Sequence, residues 1–102
     1  MRRRITVGTV VSTNVWRFVN SQDSADWVKT TYGRSLRTAT VEGNVVEAAG
    51  RSLWIVEWQW DHPDPLKRRG QSPSSHLKIV RTEVEERRAA RATVVGIFFV
   101  DP

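Results

Sequence analysis

The run Leu53-Trp54-Ile55-Val56-Glu57-Trp58-Gln59-Trp60 constrains the chain more than any other stretch, because it gathers three of the five tryptophans. Aromatic and β-branched residues at that density favour a pleated, half-buried strand. Side chains alternate between the two faces of a strand, so Trp54, Val56, Trp58 and Trp60 project to one side and Leu53, Ile55, Glu57 and Gln59 to the other. The first face is apolar up to its last ring, while the second turns polar, as expected of a strand that leaves a core and enters solvent. A chain of 102 residues builds only a modest core. Two roles therefore stay open for the indoles, core packing and contact with a partner.

That length fits one domain over residues 1–102, divided into a basic tail (1–4), a β-rich core (5–80), a helix (81–92) and a last strand (93–102). Lys plus Arg number 16 against 11 Asp plus Glu, a net +5, and only three of the cations are lysine. Arginine suits bidentate contact with phosphate or carboxylate, so the balance points to an anionic partner. With no cysteine, disulfides, cysteine-based zinc sites and a thiol nucleophile are excluded. Met1-Arg2-Arg3-Arg4 carries the charge of a leader, but Thr6, Gly8, Thr9, Ser12, Thr13 and Asn14 interrupt any apolar run behind it. The longest apolar run, Val94 to Val100, falls far short of the roughly 20 residues of a membrane helix. The expectation is an intracellular protein, nuclear if eukaryotic.

Taken in order, Ile5 to Ser12 alternates as a first strand, with Gly8 as a bend. A helix of barely two turns is expected from Asp23 or Ser24 as N-cap to Gly33 as stop, with Trp27 and Val28 as its apolar contacts. Arg34-Ser35-Leu36-Arg37-Thr38 leads into a second strand, Ala39 to Ala48, with Gly43 as a bulge. Ala49-Gly50-Arg51-Ser52 turns it back antiparallel onto the central strand. Pro63 and Pro65 then open a long basic loop that runs to Pro73. Ser75 to Val80 reads as another strand. Thr82-Glu83-Val84-Glu85 is a capping box that starts a surface helix with glutamates early and arginines late.

Val41-Glu42-Gly43-Asn44-Val45-Val46, a short glycine turn, and Leu53 to Trp58 followed by a proline-bearing loop resemble the core hairpin of chromo and Tudor-type domains. The resemblance covers residues 38 to 65. It implies a mostly β fold, a small SH3-like antiparallel barrel with one short helix before the central hairpin and one capped helix near the C-terminus. It also implies that Trp58 stands where the chromo pattern places a tryptophan of a methyl-lysine cage. Thr38, Ala39 and Thr40 occupy the place of the family's first cage aromatic, which leaves Tyr32 as the nearest ring. Barrels of this style also accompany transposases and integrases.

Two candidate surfaces follow. Tyr32, Trp58 and Trp60 with Glu57 or Asp61 could present ring faces and a carboxylate to a cation. Lys67, Arg68, Arg69, Lys78, Arg87, Arg88 and Arg91, with the Arg2 to Arg4 tail, could neutralise phosphates beside tryptophans that stack on unpaired bases. Asp61, His62, Asp64 and His76 lack the spacing of a metal-ligand set, and no glycine-flanked serine or glycine-rich phosphate loop is present. The expectation is a non-catalytic module without a cofactor that contacts nucleic acid or chromatin. A peptide-binding domain with a Trp-rich face and a small SH3-like ribonuclease are the alternatives.

Overall fold

The computed structural model describes residues 4–89. Arg2, Arg3, Arg91, the end of the second helix and the expected last strand lie outside the described residues. Within them the chain forms five strands, β1 (Val10–Asn14), β2 (Thr40–Gly50), β3 (Leu53–Trp58), β4 (Arg69–Pro73) and β5 (Lys78–Arg81). A helix α1 (Gln22–Tyr32) precedes β2, and a second, α2, occupies 83–89. The strands make one antiparallel sheet in the order β4-β3-β2-β1-β5. The sheet is not closed, so β4 and β5 are its edges.

The central hairpin is where the pattern places it. β2 and β3 pair from Gly43 opposite Trp58 to Gly50 opposite Leu53, around a turn at Arg51 and Ser52. Val56 and Trp58 are buried, and Trp54 and Trp60 pack against the same core, which is otherwise mostly valine: Val11, Val15, Val19, Val28, Val41 and Val45. Trp60 lies beyond the strand, in a bend. Gly43 is not a bulge, since the register irregularities fall further along β2, between Val45 and Glu47 and between Ala48 and Gly50. A Cβ on Gly43 would stand 2.6 Å from a ring carbon of Trp58 and 2.9 Å from the Glu57 carbonyl oxygen. The glycine is there to let the indole lie on the neighbouring strand.

Other boundaries differ from expectation, among them the strand expected from Ser75, which begins only at Lys78 because Ser74–His76 forms a 3₁₀ turn. β1 begins at Val10 rather than Ile5. Gly8 donates to the Val45 carbonyl (2.8 Å) and the Thr9 amide turns back to Thr6 (3.0 Å), so regular pairing starts only after that turn. α1 has 11 residues, three turns instead of two. Its N-cap is Ser21, whose Oγ accepts from the Ser24 amide at 3.2 Å, and Gly33 closes it in the left-handed region with φ 70°. The basic loop is shorter than its composition suggests, because Arg69–Pro73 pairs with β3 as an edge strand. Thr82 and Glu85 do form the reciprocal capping box, at 3.2 and 3.1 Å. Arg81 donates to Glu86 at 2.6 Å, which pushes the guanidinium pKa up and ties β5 to α2.

Candidate nucleic-acid interface

The loop between β3 and β4 folds back on α1 through His62. The ring is 5 % exposed. Its Nδ1 accepts from the Asp64 amide at 3.0 Å, so the neutral ring carries its proton on Nε2, which faces Ser24 Oγ on α1 at 3.1 Å. That orientation makes the ring a donor to the serine and not its base. Burial, foremost, lowers the His62 pKa, with Lys67 and Arg68 adding to the effect and Asp64 opposing it. The Arg68 guanidinium Nε donates to the His62 carbonyl at 2.7 Å, and Trp60 Nε1 donates to the Lys67 carbonyl at 2.9 Å. Five aromatic rings close around this hub. Phe18 stacks on Trp58 with centroids 4.6 Å apart at 11° and tilts against Trp60, while Trp27 meets both Tyr32 and Trp60 edge-on at 5.5 Å.

This packing redistributes the expected aromatic face. Trp58 is 5 % exposed beneath Phe18, so its ring serves the core. Glu57 is exposed on the opposite side of β3, across from Arg69. Tyr32, Trp60 and Asp61 remain together at the surface. Tyr32 is 46 % exposed, and burial followed by the nearby Asp61 carboxylate raises its pKa, so the phenol keeps its proton at neutral pH. Tyr32 and Trp60 line a groove of about 660 Å³ with Arg34, Thr40, Glu42 and Gln59.

The expected basic surface is also redistributed. Arg68 is held by His62, Arg69 approaches Glu47 at 3.7 Å on the sheet edge, and Arg87 pairs with Glu83 at 3.4 Å along α2. Lys67 flanks the His62 loop, while Lys78 is exposed on β5 and Arg88 on α2. Among the described residues this set is spread over the β3–β4 connection, β5 and α2, and none of its cations lies over an indole ring.

A different set does. Just after β1 the chain enters a 3₁₀ turn, Val15–Arg17, capped by Asn14. The Trp16 amide donates to the Leu36 carbonyl at 3.2 Å and the Val15 amide to the Ala39 carbonyl at 3.0 Å, which lays this turn against the segment leading into β2. Trp16 is 38 % exposed, and the guanidinium groups of Arg17 and Arg37 lie over its ring at 5.2 and 5.0 Å from the centroid. Among the described residues no carboxylate forms an ion pair with Arg17, Arg34 or Arg37. Comparison with protein-family models, curated proteins and solved structures finds no match to this chain.

Arg34 belongs both to this basic segment and to the groove, so the two surfaces adjoin. Sequence reading missed Trp16, Arg17, Arg34, Arg37 and Glu42. The two arginines that reach Trp16 are 20 positions apart, and only backbone pairing around Val15 and Ala39 brings them to one ring.

Proposed function

We propose that the chain is a non-catalytic module that binds nucleic acid through the Trp16, Arg17 and Arg37 surface. The observation that carries this reading is an exposed indole with two guanidinium groups laid over it and, among the described residues, no carboxylate paired with either. Cation–π contact holds the guanidinium groups in place while their N–H donors stay open to solvent. Phosphate oxygens satisfy such donors bidentately, and unpaired bases stack on indole and guanidinium planes alike. The overall charge of +5 acts in the same sense. The fold component of the reading is an SH3-like barrel of chromo or Tudor type. It is supported by five strands in which β1 bonds both β2 and β5, the pairing that a sheet needs to curl until its first and last strands meet. Chromatin-associated or transposase-associated service is the setting this reading fits.

The test is anisotropy titration of labelled single- and double-stranded DNA and RNA at two salt concentrations, with the wild type and with an Arg17→Ala, Arg37→Ala double variant. Binding that weakens with salt and is strongly reduced in the variant is expected. Salt-insensitive binding, or equal affinity of variant and wild type, would overturn the reading.

A further inference from the structure

We infer that the groove beside Arg34 receives one unpaired nucleobase and prefers guanine. The inference rests on the nucleic-acid reading above and adds a site and a specificity to it. The side walls are rings. Tyr32 and Trp60 both meet Trp27 edge-on at 5.5 Å, at 88° and 81°, and Trp60 is further tied through Nε1 to the Lys67 carbonyl. Their orientation is thus set before any ligand arrives, which lowers the ordering cost of stacking. The volume of about 660 Å³ lies in the range of small-molecule clefts and accommodates a purine with its sugar.

The polar groups select the base. Glu42 is exposed at the groove and, among the described residues, makes no direct ion pair, its charge acting on Arg81 of β5 only through space. Its backbone is fixed, because the Glu42 carbonyl accepts from the Gln59 amide at 2.8 Å. The Gln59 side-chain amide donates to Asn44, leaving its oxygen as a further acceptor. A carboxylate offers two adjacent acceptors, and guanine is the base whose Watson–Crick edge offers two adjacent donors, N1–H and the N2 amino group. Thymine and cytosine present one donor there, and adenine presents its amino group alone.

The competing occupant is a methylated lysine held between the same two rings, with Glu42 or Asp61 as counter-ion. Arg34 argues against it, since a guanidinium in the lining repels a cation and attracts the phosphate of a nucleotide whose base is seated. Arg37 lies further along the same segment and shares the Trp16 ring with Arg17 of the 3₁₀ turn, where the neighbouring phosphates of a single strand would run.

The experiment measures affinity for a short oligothymidylate carrying one central guest base, guanine, adenine, cytosine or thymine, with the wild type, Glu42→Gln and Tyr32→Ala. Both positions are exposed, so circular dichroism should report folded variants. The expected result is a guanine preference of about tenfold over thymine. Glu42→Gln should abolish that preference without weakening the all-thymine strand, and Tyr32→Ala should weaken every guest. Equal affinity for all guests, with binding still salt-dependent, would overturn the groove assignment and leave the nucleic-acid reading standing. No binding of any oligonucleotide would remove both. A trimethyl-lysine peptide that binds, is weakened by Glu42→Gln and is not displaced by oligonucleotide would assign the groove to a cation instead.

Discussion

His62 links the loop after β3 to α1, and its protonation couples that link to pH. The Asp64 amide points at Nδ1, so a proton added there meets a donor and breaks the bond that shapes the loop. Burial, first, holds the folded-state pKa below the unfolded value of about 6.5. Above about pH 6.5 both states are neutral and the contribution to stability is complete. On acidification the unfolded chain takes up the proton first, so stability falls from about pH 6.5 down through the folded-state pKa and levels off below it. Urea midpoints measured between about pH 7.5 and 5 should drop for the wild type and drop less for His62→Gln, which itself costs about 1–3 kcal/mol at the upper pH. Equal pH slopes for the two proteins would refute the account. Sequence reading noticed His62 only beside Asp61, Asp64 and His76. Its partner Ser24 is 38 positions away, and nothing local announces that pairing. His76 lies apart, in a 3₁₀ turn whose carbonyl accepts from Thr13 at 2.8 Å.

At the scale of elements, Gly43 and Gly70 make a controlled pair. Both are glycines in strands flanking β3, on β2 and β4. Around Gly70 nothing lies within 4 Å of a would-be Cβ, whereas at Gly43 that atom meets Trp58, Val56 and the Glu57 backbone, and backbone does not yield as a side-chain tip does. Gly43→Ala should therefore destabilise by about 1–3 kcal/mol, as overpacking does. Gly70→Ala should shift stability by no more than about 0.5 kcal/mol. Thermal or urea unfolding of the two variants checks both, and equal effects would mean that the Trp58 contact is not what requires the glycine. Ser21→Ala should cost about 1 kcal/mol by leaving the Ser24 amide without its cap. The β2–β3 hairpin, Gly33 and the Thr82–Glu85 box were legible because each is written within a few adjacent residues. β4 was not, because Arg69-Gly70-Gln71-Ser72-Pro73 has no apolar alternation. Its strand conformation comes from the free edge of β3, a tertiary cause that a local pattern does not carry.

Across the whole molecule, the same cation type does two kinds of work, and the net charge does not separate them. Arg68 completes the His62 loop, Arg81 joins β5 to α2, and Arg87 pairs along its own helix. Among the described residues, the guanidinium groups of Arg17 and Arg37 lie over an indole and pair with no carboxylate. Removing arginines from the two groups should therefore give opposite results. Arg68→Ala should lower the urea midpoint by the equivalent of about 1–2 kcal/mol, because a charge-assisted bond to a backbone carbonyl is lost. Its effect on the salt dependence of DNA binding should be small. The Arg17→Ala, Arg37→Ala variant should keep the wild-type midpoint. Its plot of log affinity against log salt should be shallower by about 1.4 for single strands, two phosphates at about 0.7 each. If the slope instead changes with Arg68→Ala and not with the double variant, the contact surface is the β3–β4 loop that the sequence alone suggested. That loop was chosen for its run of three adjacent cations, Lys67-Arg68-Arg69, which is the form of basic patch visible in one dimension. The Trp16 surface is assembled from a 3₁₀ turn after β1 and a segment before β2, so its charge density exists only once Val15 has bonded Ala39.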